Sequence, residues 1–149
     1  MKPYICFAIV TLILMSCETK KASPPHIGTW QLISATIIEK GDTIVTDYSK
    51  DKKFIKIITD SHFAFIGHDL SKGKDSAAFF TSGAGSFTLA DSTYSEHLEF
   101  CSDRAWENND FKFTITIRND TLVQMGIEKI ESAGVDRLNV EKYVRMKNK

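Results

Sequence analysis

The chain has 149 residues, and its 19 Lys plus Arg are matched by 19 Asp plus Glu with no long block of either sign. That balance excludes the basic face that nucleic-acid binding needs, and the length fits one domain around a single core. Of the three cysteines, Cys6 lies inside the leading apolar run and Cys17 ends it, which leaves Cys101 alone in the body of the chain and excludes an internal disulfide there.

Met1 and Lys2 supply a short positive start, and Tyr4 to Met15 is an almost unbroken apolar run. This is the layout of a secretory signal. About 12 residues in helix reach about 18 Å, short of the ~30 Å hydrocarbon core that a spanning helix crosses. Residues 1–16 are therefore expected to be a cleaved signal peptide, and removing 16 of 149 residues leaves 133. Glu18 to His26 is short, polar and carries Pro24-Pro25, so residues 17–26 read as an extended tether. The folded domain is expected over residues 27–149.

From Thr29 onward, β-rich runs alternate with polar breaks, and no stretch sustains an apolar period of 3.6 residues. Strands are predicted over Thr29 to Lys40, Thr43 to Tyr48, Lys52 to Asp60, His62 to Gly67 and Ala77 to Thr81. Further strands are predicted over Gly85 to Ala90, Thr93 to Phe100, Phe111 to Arg118, Thr121 to Glu128 and Asn139 to Met146. Gly41-Asp42, Asp60-Ser61, Asp91-Ser92 and Asn119-Asp120 can each close a hairpin, so neighbouring strands should pair antiparallel. Phe111 to Arg118 puts four large apolar side chains on one face and polar ones on the other. Eight to ten meandering strands avoid sticky edges by closing, which predicts an all-β, antiparallel up-and-down barrel, with a sandwich as the alternative. A barrel of about eight strands either fills with side chains or holds one small ligand.

Leu14-Met15-Ser16-Cys17 resembles the lipobox of bacterial lipoproteins. The resemblance implies a diacylglycerol thioether on Cys17, cleavage just before it, and lipid anchoring in the cell envelope. The bacterial outer membrane is the expected location, with the periplasmic and surface faces both open. Gly28-Thr29-Trp30-Gln31-Leu32 resembles the Gly-x-Trp opening of lipocalins, and Tyr143-Val144-Arg145 resembles their last strand, whose Arg packs across that Trp. Gly28, Trp30 and Arg145 are then expected at a closed barrel base, with a cation–π contact worth about 0.5–2 kcal/mol. Gly85 to Leu89 and Tyr94 to His97 are similar to strands of bacterial lipocalin-like lipoproteins. The direct step from Gly41-Asp42 into another β-rich run departs from fatty-acid-binding proteins, where two helices follow the first strand.

The lipocalin resemblance implies a binding barrel whose open end admits a small apolar or amphipathic molecule. Tyr94 and Glu96 would orient it among Phe63, Phe65, Phe113 and Ile115, with Trp106 at the mouth. The alternative is a structural or interaction barrel with a filled interior, in which Glu96 is a hydrogen-bonded core residue. A continuous interior space of ~300 Å³ or more reaching Tyr94 and Glu96 separates the two readings. His62, His68 and His97 lack diagnostic metal spacing, and Cys101 with His97 lies about 13 Å apart along a strand, too far for a nucleophile–base pair. Ser82 to Gly85 reads as a turn before a strand rather than a phosphate loop. No enzyme activity, cofactor or metal is expected, and the membrane is the expected partner through acylated Cys17.

Overall fold

The computed structural model describes residues 23–74, 76 and 78–147, so the signal segment and Cys17 lie outside the described residues. Short turns built on residues that tolerate positive φ convert the alternating sequence into hairpins. Lys40 (φ 52°) with Gly41 (φ 90°), and Asn119 (φ 46°) with Asp120 (φ 59°), have the consecutive left-handed residues of a tight hairpin turn. Asp91 (φ 55°) reverses the chain in the same region of dihedral space.

The strands are β1 (Gly28–Glu39), β2 (Asp42–Asp47), β3 (Lys52–Ile58), β4 (His62–Asp69), β5 (Phe80–Ala90), β6 (Thr93–Cys101), β7 (Asn109–Arg118), β8 (Thr121–Ile130) and β9 (Val135–Arg145). Single 3-10 turns at Arg104–Trp106 and Glu131–Ala133 precede β7 and β9. Every pairing is antiparallel, from β1–β3 through β8–β9, and β9 returns to pair with β1. The result is a closed eight-strand barrel plus one extra strand, β2, which pairs only with the upper half of β1. This all-β architecture is consistent with a lipocalin-like barrel.

Two differences from the expected strands have a physical cause. The two strands predicted over Ala77 to Thr81 and Gly85 to Ala90 are replaced by one, β5, which begins at Phe80 and runs through Gly83 and Gly85; Ala77 lies outside the described residues. These glycines permit close approach rather than a turn: a Cβ on Gly83 would lie 2.4 Å from the Phe65 ring, and one on Gly85 would lie 1.9 Å from the His97 carbonyl oxygen. The register of β6 then slips by one residue between Gly85↔Leu98 and Ala84↔Phe100, a bulge at Glu99. Phe100, which simple alternation groups with Tyr94, Glu96 and Leu98, therefore points outward and is 64% exposed.

Apolar side chains fill the base of the barrel and run up one side of its wall. One cluster joins Phe63, Tyr94, Leu98, Phe111, Phe113 and Ile115, and a second joins Trp30, Leu32, Phe54, Ile58, Leu122 and Tyr143. At the base, the Arg145 guanidinium lies 4.1 Å from the Trp30 ring centroid and donates to the carbonyls of Pro25 and Ile27 and to Asp120. Gly28 sits beneath it, where a Cβ would meet Arg145 Nη1 at 2.7 Å. The Trp30 indole N–H donates to the His26 carbonyl at 2.8 Å, and the His26 ring meets Phe87 edge-on. Pro24, Pro25 and His26, assigned to the tether by composition, are thus bound to the barrel base.

Candidate functional site

Above the packed floor, the interior turns polar. Lys56 on β3 and Glu96 on β6 form an ion pair with 3% and 8% exposure, and Lys56 Nζ also donates to Gln124 Oε1 at 2.8 Å. Isolated, either charge would be too costly to bury, and pairing with a further hydrogen bond offsets that cost. The Lys56 ammonium also lies 5.1 Å and 5.2 Å from the Phe63 and Tyr94 ring centroids. Burial and the adjacent Glu96 charge push the Tyr94 phenol far above its ordinary range, and its buried hydroxyl has no hydrogen-bond partner among the described residues.

A second polar group lies nearer the mouth. Arg137 Nε donates to Glu128 at 2.7 Å, and Asn139 Nδ2 donates to the other Glu128 oxygen at 2.8 Å. Glu128 thereby fixes the Asn139 amide, because flipping it would set two acceptors against each other. The Arg137 guanidinium lies 5.1 Å from the ring of Trp106, which the 3-10 turn before β7 carries over the opening. Glu141 accepts from Tyr143 Oη at 2.8 Å and has no ion pair among the described residues. Burial raises its carboxyl above the usual carboxylate range; Lys56 opposes the rise, and the Glu128 and Glu96 charges add to it. Its side chain borders the interior space.

That space is a cavity of about 220 Å³, open at the end of the barrel that carries Tyr48 and Trp106. Its walls combine the aromatic rings of Tyr48, Phe54, Phe65, Phe111 and Phe113 with the polar groups of Lys56, Glu96, Gln124, Glu128, Arg137, Asn139 and Glu141. The rings are ordered, with Phe54 stacked on Phe65 at 5.6 Å and Tyr48 edge-on to Phe54 at 5.9 Å.

Of the residues selected from sequence, Phe65, Glu96, Trp106 and Phe113 border this cavity. Phe63, Tyr94 and Ile115 lie in the packed floor instead. The space is smaller than the ~300 Å³ that separates the two readings, and it reaches Glu96 but not Tyr94. Sequence reasoning missed Lys56 and the polar row of β9. A usable signal existed for the latter: with Arg145 placed under Trp30, alternation along β9 brings Tyr143, Glu141, Asn139 and Arg137 to the same face.

The histidines do not converge. His97 Nδ1 lies 2.8 Å from Asp110 and His62 Nδ1 lies 2.8 Å from Ser61, both on the outer surface, and no three metal-ligating side chains gather among the described residues. Burial raises the Cys101 thiol above its usual value, which disfavours the thiolate.

No family model matches the chain, and no curated protein matches it. Among solved structures it is similar to an uncharacterized protein from Bacteroides eggerthii, with 11% identity and a TM-score of 0.46 over 80% of this chain and 98% of that one. What the barrel holds must therefore be read from its own interior.

Proposed function

We propose that this protein is a lipid-anchored envelope protein, held in the bacterial outer membrane by acylated Cys17, whose barrel takes up one small amphipathic molecule. The observation that carries the binding reading is the cavity: a space of about 220 Å³, open at one end, aromatic along its walls and polar at its depth. An engineered apolar cavity of about 150 Å³ takes benzene, so this space suits a molecule of roughly nine non-hydrogen atoms. The polar lining turns the expectation away from a wholly apolar ligand. It would desolvate buried amide and carboxylate groups without replacing their hydrogen bonds.

The anchoring reading rests on Leu14-Met15-Ser16-Cys17 and the preceding apolar run. Two or three acyl chains hold a protein on a bilayer, since each buried CH₂ contributes about 0.8 kcal/mol. Because Pro25 and Ile27 are bound to Arg145, the eight Cα steps from Cys17 to Pro25 set the reach, at most about 29 Å. The barrel base would then face the membrane and the mouth would face away. Binding rather than catalysis is the reading the interior favours, since Lys56 and Arg137 are each engaged with a carboxylate and burial disfavours the Cys101 thiolate.

Native mass spectrometry of the protein taken from its source membranes tests the binding reading. A retained molecule of matching size is expected; a bare chain that no small molecule stabilises would refute it in favour of a structural barrel. Growth with a radioactive fatty acid tests the anchor. Cys17→Ser should abolish labelling and release the protein from membranes, and unchanged labelling would overturn the assignment.

A further inference from the structure

The geometry points to a small organic cation, a protonated amine on an apolar body, as the molecule that this cavity recognises, with Glu141 and Asn139 as its polar contacts. This rests on the ligand-binding reading and specifies the charge of the ligand.

The first observation is an imbalance of charge. Three carboxylates border the cavity, Glu96, Glu128 and Glu141, against two cations, Lys56 and Arg137. Lys56 is committed to Glu96 and Arg137 to Glu128, which leaves Glu141 with the Tyr143 hydroxyl as its hydrogen-bond partner. The second, independent observation is Asn139. Its side chain is 7% exposed and borders the cavity, its Nδ2 is fixed on Glu128, and its Oδ1 is buried with no partner among the described residues. An orphaned acceptor at that depth costs roughly 1–3 kcal/mol, which a donor on the ligand would relieve.

Asn139 and Glu141 are two residues apart on the same face of β9, so their Cα atoms lie about 7 Å apart. One ammonium, with its three donors, has hydrogen bonds enough for both acceptors. An alcohol brings no positive charge to offset the third carboxyl group, and an anion would be set among three acidic side chains. The walls suit the same choice, because the rings of Tyr48, Phe54, Phe65 and Phe113 offer an apolar lining for the body that carries the amine.

Proton exchange follows from the groups around Glu141. Lys56 faces it from β3, Glu96 from β6, Glu128 from β8, and Tyr143 and Arg137 from its own strand, with Tyr48 near the mouth. With the cavity empty, burial favours the protonated carboxyl. A cation entering beside it favours the carboxylate, so wherever the empty site holds the proton, binding releases it and tightens as the pH rises.

Calorimetry on the detergent-solubilised full chain, with empty micelles as the blank, compares three probes of one shape: 2-phenylethylamine, 2-phenylethanol and phenylacetate. The amine should bind at least tenfold more tightly than the other two. Its apparent heat should differ between buffers of unlike ionisation enthalpy by the amount a released proton predicts. Glu141→Gln should weaken the amine at least tenfold while the protein keeps its thermal transition. Alcohol or phenylacetate binding as tightly as the amine would overturn the cation preference and leave the ligand-binding reading standing. Binding by none of the three would overturn the preference; if native mass spectrometry also finds a bare chain, the ligand-binding reading falls with it.

Discussion

Replacing Lys56 by Met keeps most of the side-chain volume and removes the charge that Glu96 faces at 8% exposure. Breaking one side of a buried pair typically costs 3–5 kcal/mol, because the remaining charge is left in a poor solvent without compensation. Against a total stability on the order of 5–15 kcal/mol, that removes about a fifth or more of the margin. Gln124 Oε1 also loses its donor, a further penalty of about 1–3 kcal/mol if no water replaces it. The double variant Lys56→Met with Glu96→Leu carries the same Gln124 penalty but no stranded charge. It should recover at least ~2 kcal/mol relative to Lys56→Met alone. Urea unfolding followed by circular dichroism gives both numbers from the midpoints at constant slope. A Lys56→Met loss below about 1 kcal/mol, or a double variant no more stable than the single one, would show that the pair does not hold the interior as described.

Trp30→Ala should destabilise by about 3–5 kcal/mol, because the ring is fully buried and carries the Arg145 contact; a loss under 1 kcal/mol in urea would refute its role at the base. Gly85→Ala should disrupt the β5–β6 ladder, since the new methyl meets the His97 carbonyl; an unchanged melting temperature would contradict the close approach. Glu141→Gln should leave stability unchanged near pH 4 and raise it near pH 7 to 8. The folded carboxyl holds its proton more tightly than the unfolded one, so the wild type loses stability as the pH rises above the ordinary glutamate value of about 4.3. Melting curves across that range check it, and a variant less stable than wild type at pH 8 would reverse the sign.

Strand order and closure were legible because the turns are written in residues that accept positive φ, and because Phe111 to Arg118 alternates cleanly. The Glu99 bulge was not, since one extra residue changes the face of Phe100 without altering the composition of the strand. Lys56 escaped for a related reason. In Lys52 to Ile58 both faces carry apolar residues, so a lysine reads as outward unless a buried partner is known, and Glu96 is 40 positions away. The β9 row inverts the usual pattern, with Asn139 and Glu141 inward and Val140 and Val144 facing outward, because its interior face borders a polar cavity rather than core. Polar residues placed against the expected pattern are where function departs from packing.

The extra strand has a mechanical consequence. β1 gives the edge of its first residues, Gly28 to Gln31, to β3 and the same edge of its later residues, Ser34 to Glu39, to β2. The wall therefore divides near the mouth, and the two lips of the slit are joined by side chains rather than by a ladder. Tyr48, wedged against Phe54 and Phe79 with Lys52 beside its ring, is the clasp. From Ser34 to Ile38 β1 stays laddered to β9, so the β1–β2 flap is held by backbone hydrogen bonds on one side and, against β3, by the packing of Tyr48.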